Sequence, residues 1–92
     1  MSRARMRIVY AGHVQGVGFR YTVKSLAPGY EVTGGVRNLP DGRVELIAEG
    51  AREELDALAQ SVMDSGLGPL IRDVEMHWEE AQGGMRGFEI LP

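Results

Sequence analysis

Ninety-two residues, 43% hydrophobic and 25% charged, suffice for one compact core and are wrong for a disordered chain. The lack of cysteine excludes disulfide scaffolds, cysteine–zinc sites, iron–sulfur clusters and thiol catalysis. A net charge of −3 speaks against a general nucleic-acid binder. No apolar run approaches the roughly 18–20 residues that span a bilayer, and the N-terminal Met1-Ser2-Arg3-Ala4-Arg5 has no apolar signal region behind it. One domain over residues 1–92, a monomer in the cytoplasm without a membrane or nucleic-acid partner, is therefore expected.

Residues 5–11 alternate, with Met6, Ile8 and Tyr10 on one face and Arg5, Arg7 and Val9 on the other, the pattern of a half-buried strand. A loop with three glycines follows, Gly12-His13-Val14-Gln15-Gly16-Val17-Gly18. From Phe19 the period changes. Phe19, Val23, Leu26, Ala27 and Tyr30 share one face of a helix, which Pro28-Gly29 should end or distort near Ala27. Residues 33–39 read as a second strand and residues 43–49 as a third, with Val44, Leu46 and Ala48 pointing inward. Pro40-Asp41-Gly42 between them is a tight turn and makes the pair a hairpin. Gly50 precedes a second helix. Its apolar stripe is Leu55, Leu58, Ala59 and Val62, and Glu53 and Glu54 suit its positive end. Gly66 and Gly68-Pro69 stop it. Residues 71–78 alternate again, with Val74, Met76 and Trp78 read as core. Gly83-Gly84 marks a turn, and residues 88–91 form a short last strand. The order β-α-β-β-α-β predicts an α+β, ferredoxin-like split βαβ fold. Two helices would cover one face of an antiparallel sheet, with a small extra strand at the C-terminus.

Charge is distributed unevenly. Residues 1–43 sum to +5 and residues 44–92 to −8. Such asymmetry marks either an anion site in the first half or opposite solvated faces. The loop favours an anion. A strand running through glycines into a helix start at Phe19-Arg20 lets successive backbone amides converge on one oxyanion, with the helix N-terminus adding partial positive charge. Arg20 stands at the rim with a guanidinium fork. The loop is neither a Walker A loop nor a dinucleotide fingerprint, because the following Lys-Ser/Thr and the Gly-x-Gly-x-x-Gly spacing are both missing. His13 and His77 stand far apart without ligand neighbours, so neither metal nor cofactor is expected.

The string Gly12-His13-Val14-Gln15-Gly16-Val17-Gly18-Phe19-Arg20 closely resembles the first signature of the acylphosphatases. Gly34-Gly35-Val36-Arg37-Asn38-Leu39-Pro40-Asp41-Gly42-Arg43-Val44 resembles their second. The likeness continues through Glu45, Glu49-Gly50 and Phe88-Glu89-Ile90. It implies hydrolysis of small acyl phosphates to a carboxylate and inorganic phosphate. It further implies that Arg20 and the amides of Gln15, Gly16, Val17, Gly18 and Phe19 bind the phosphate, and that Asn38 holds the attacking water. Such chemistry needs positioning and charge stabilisation more than covalent catalysis. His13 is read as a loop residue, and Arg37 as pointing to the sheet face opposite Asn38. The alternative is a regulatory domain that binds an anion without catalysis, and retention of both Arg20 and Asn38 speaks against it. An RNA-recognition module is disfavoured because Gly16-Val17-Gly18-Phe19 leads into a helix rather than lying on a strand. Gly35 stands where many acylphosphatases carry Trp, which predicts altered packing of the first helix or the sheet. Pro28-Gly29 predicts a short or bent first helix.

Overall fold

The computed structural model describes residues 3–92. Met1 and Ser2, part of the N-terminal stretch read above for a signal region, lie outside the described residues. The elements are β1 (Arg3–Gly12), α1 (Phe19–Leu26), β2 (Val32–Asn38), β3 (Val44–Ala51), α2 (Arg52–Asp64), β4 (Ile71–Glu80) and β5 (Phe88–Ile90). Short 3₁₀ turns at Ala27–Gly29 and Gly68–Leu70 follow the two helices. The sheet order is β4-β1-β3-β2-β5. The first four strands pair antiparallel, as the sequence order predicts, and β5 joins parallel to β2.

Pairing puts Met6, Ile8 and Tyr10 of β1 beside Ala48, Leu46 and Val44 of β3. All six are buried, and with Val36 they form the sheet side of the core. Phe19 and Val23 of α1 and Leu55, Leu58 and Val62 of α2 supply the helix side. Phe19, Val23 and Ala27 of the first expected stripe and Leu55, Leu58 and Val62 of the second are buried, while Leu26, Tyr30 and Ala59 are partly buried at the core's edge, and Ala27 and Tyr30 lie past the end of α1. Ala51 runs from β3 directly into α2, where Glu53 and Glu54 sit in the first turn beside the helix's partial positive charge.

α1 is short, as Pro28-Gly29 requires. It has eight residues, and the chain then tightens into the 3₁₀ turn Ala27–Gly29. Gly35, expected to alter the packing of the first helix or the sheet, does not face the first helix. Gly35 pairs with Ile47, on the sheet face opposite the helices. A Cβ there would lie 2.5 Å from Cγ of Leu91, whose side chain fills the space over the glycine. The Leu91 amide also donates to the carbonyl of Val36 at 2.8 Å, fixing the chain end over the sheet.

The core reading of β4 needs correction. Val74 and Met76 are 39% and 40% exposed, and only Trp78 of that trio packs against the core, half-buried. The cause is topological. β4 is an edge strand, α1 packs on β2 and β5, and α2 packs on β3 and β1. Little is left to cover the outer strand beyond Arg52, whose guanidinium lies 3.9 Å from the centre of the Trp78 ring.

The open face of the sheet is polar, and its two buried carboxylates are paired. Glu49 accepts from Arg5 Nε at 2.7 Å and from the amides of Gln82 and Gly83 at 2.8 and 2.9 Å. Glu45 accepts from Arg7 Nε at 2.6 Å and Arg37 Nε at 2.8 Å. Both carboxylates are buried. Burial acts to raise the Glu49 pKa. The Gln82 amide, the Arg5 guanidinium and the Gly83 amide outweigh it and hold the carboxyl below its usual range. Arg37 does point away from Asn38, as its alternation requires.

Candidate active site

Leaving β1, the chain is first tied down by the His13 amide, which donates to the Leu70 carbonyl at 2.9 Å. Val14 then turns into the core, only 1% exposed, and Val17 packs against the core's edge. These two apolar side chains hold the loop from beneath. The Gln15 side-chain amide holds it from the side, donating to the carbonyls of Leu39 at 2.8 Å and Arg43 at 3.0 Å. The loop is thereby fixed to the β2–β3 hairpin, immediately beyond Asn38.

That hairpin has its own lock. The Leu39 amide donates to Arg43 O and the Gly42 amide to Leu39 O. Asp41 accepts from the Arg43 amide at 3.1 Å and from Arg43 Nε at 2.8 Å. The Arg43 amide lowers the Asp41 pKa most, desolvation opposes it, and the Arg43 side chain lowers it further, leaving the carboxyl below its usual range.

Between these fixed points the backbone turns left-handed at Gly16 (φ 76°) and Gly18 (φ 79°). Space does not demand glycine at either position, since a Cβ would meet nothing within 4 Å. The positive φ does. Gly18 is the N-cap of α1 and offers no side-chain cap to the first helical amides. The amides of residues 15–19 find no hydrogen-bond acceptor among the described residues. Amides left without an internal partner at a helix start are ready donors to an oxyanion.

Val14, Gly16, Gly18, Phe19, Arg20, Tyr21 and Asn38 line a cavity of about 100 Å³ at this point. Of the residues singled out from sequence, Gly16, Gly18, Phe19, Arg20 and Asn38 meet there. Gln15 and Val17 do not line it with their side chains, which brace the loop instead. Asn38 stands on the helix side of the sheet, in register with Val44. Arg20 forms no ion pair among the described residues. Four of the six other basic residues of the first half (Arg5, Arg7, Arg37 and Arg43) are all paired. Arg5, Arg7 and Arg37 pair across strands with Glu49 and Glu45, so part of the charge asymmetry is pairing across the sheet, and Arg20 takes no part in it.

Sequence reasoning missed two lining residues. Val14 could have been found as an apolar residue in a glycine loop. Tyr21 is an aromatic side chain off the buried stripe of α1. Behind the cavity, the Phe19 ring lies 5.0 Å from that of Tyr10 at 54°. The buried Tyr10 hydroxyl has no hydrogen-bond partner among the described residues. Burial pushes its pKa well above the usual tyrosine range.

The acylphosphatase family model matches residues 6–90. The chain belongs to the acylphosphatase family. It is 48% identical over 79 residues to an acylphosphatase of Nocardia farcinica, covering 85% of this chain and 78% of that one. It is 42% identical over 96 residues to an acylphosphatase of Pyrobaculum islandicum, covering 100% and 98%. The crystal structure of acylphosphatase from Bacillus subtilis matches with a TM-score of 0.88 at 34% identity, covering 97% of this chain and 99% of that one. The enzyme is accordingly a hydrolase of the carboxyl–phosphate bond of acyl phosphates. No helix among the described residues is long and apolar enough to cross a membrane.

Proposed function

We propose that Arg20, the amides of Gln15, Gly16, Val17, Gly18 and Phe19, and the side chain of Asn38 form the catalytic apparatus for this hydrolysis. The observation that carries the reading is the convergence of an unpaired arginine, free loop amides and a carboxamide from another strand on one small cavity. The phosphoryl oxygens accept from the loop amides and from the Arg20 guanidinium. Asn38 orients a water in line with phosphorus, opposite the carboxylate leaving group. The water oxygen bonds to phosphorus as the bond from phosphorus to the bridging oxygen breaks. The carboxylate leaves with the electron pair, and a phosphate oxygen takes the water's proton. Because the leaving group is already a good one, positioning and fixed positive charge supply most of what the step needs.

In this reading the cation and amides replace a metal, and no cofactor takes part. The enzyme acts as a cytoplasmic monomer on small dissolved substrates. Hydrolysis of benzoyl phosphate in excess EDTA tests the catalytic roles and the metal independence together. Full wild-type turnover, falling about 10²-fold or more in both Arg20→Ala and Asn38→Ala, is the expected result. Turnover that survives Arg20→Ala would refute the clamp, and turnover abolished by EDTA would refute metal independence.

A further inference from the structure

We infer that the ring of Tyr21 is the platform for the acyl half of the substrate, and that the site favours acyl phosphates with a flat, apolar acyl group. The inference rests on the placement of the phosphoryl group against Arg20 and the loop amides.

The cavity's lining comes first. Arg20, Asn38 and the glycine-loop residues border a space of about 100 Å³. With the phosphoryl end held against Arg20 and the loop amides, the acyl end extends over the remaining lining residues.

The lining residues then differ in what they can offer. Val14 and Phe19 are 1% and 2% exposed, so their apolar surface is already spent on the core. Gly16 and Gly18 have no side chains, and Arg20 and Asn38 are polar. Tyr21 is the one lining residue with a large apolar surface left in water, and it is 70% exposed. Its position explains why. Phe19 and Val23 are the buried residues of α1, and Tyr21 falls between them on the outward side. The fold therefore gains nothing from an aromatic ring there. The other large apolar side chains left exposed among the described residues, Met63, Val74 and Met76, lie on α2 and β4 and line no part of this cavity.

An aromatic or conjugated acyl group can cover one face of such a ring by offset stacking and remove the two contacting surfaces from water. A two-carbon acetyl group covers only a fraction of it. Tyr21 therefore sets the ratio between the two kinds of substrate, through KM more than kcat, because the ring touches the acyl group and not the reacting phosphorus.

The test compares kcat/KM for benzoyl phosphate and acetyl phosphate in the wild type, Tyr21→Ala and Tyr21→Phe, with Arg20→Ala alongside. Tyr21→Ala should lower the benzoyl-to-acetyl ratio about threefold to tenfold, with the change in KM. Tyr21→Phe, which keeps the ring, should restore the wild-type ratio. Equal losses on both substrates, or no loss on benzoyl phosphate, would overturn the platform. Arg20→Ala separates the two readings. Its inactivity together with an unchanged ratio in Tyr21→Ala overturns the platform alone, while its full activity overturns the phosphate cradle and the platform with it.

Discussion

On the open face of the sheet, Arg5, Arg7 and Arg37 each end on a carboxylate, and Glu49 also accepts two backbone amides. At the mouth of the glycine loop, Arg20 ends on no carboxylate among the described residues, and the amides beside it have no acceptor there. The same donor chemistry is thus closed in one region and open in the other. The difference separates structure from function. Donors that the fold needs are satisfied from within the chain, and donors left unsatisfied at a fixed position are available to a ligand.

The contrast can be broken most severely at its two centres. Arg20→Ala should remove about 10²-fold or more of kcat/KM while the melting temperature stays near wild type, because no internal partner is lost. Glu49→Ala should do the reverse. It strands the Arg5 guanidinium and the amides of Gln82 and Gly83, at a cost of about 3 kcal/mol. Denaturant melts should show this loss while the folded fraction keeps its turnover.

Acid offers a milder version. The Glu49 carboxyl has a folded pKa below its unfolded value of about 4.3. Its contribution is therefore fully present above that unfolded value and is lost as pH falls through the folded one. Stability measured across that range should fall with pH in the wild type and less steeply in Glu49→Gln.

Smaller changes sharpen the comparison. Gly18→Ala places a Cβ in a left-handed conformation and should cost about 1–2 kcal/mol. Activity should fall with it, since Arg20 begins two residues on. Tyr10→Phe removes a buried hydroxyl that has no partner and should stabilise the fold by about 1 kcal/mol in thermal melts.

Much of this molecule was legible in its sequence. The change from a period of two at Tyr10 to a helical period at Phe19 locates the loop, and the alternation of Arg37 and Asn38 assigns them to opposite faces. Both readings rest on local geometry, which sequence spacing encodes directly. Val74 and Met76 were misread because alternation reports a face, whereas burial depends on which strand lies at the edge. The neighbour of Gly35 was equally hidden. Leu91 reaches it through the parallel pairing of β5 with β2, a contact between distant parts of the chain. Tyr21 escaped notice because an exposed aromatic residue on a helix has no meaning until the cavity beside it is known.

The central claim is that the open donors around Arg20, and not the paired ones on the sheet, receive the phosphate. Titration of ¹⁵N-labelled protein with inorganic phosphate tests it most directly. The account predicts saturable shifts of the amides of residues 15–20 and of the Asn38 side chain, lost in Arg20→Ala, with Arg5, Arg7 and Arg37 unmoved. Shifts centred on the sheet arginines, or loop shifts that persist in Arg20→Ala, would contradict it.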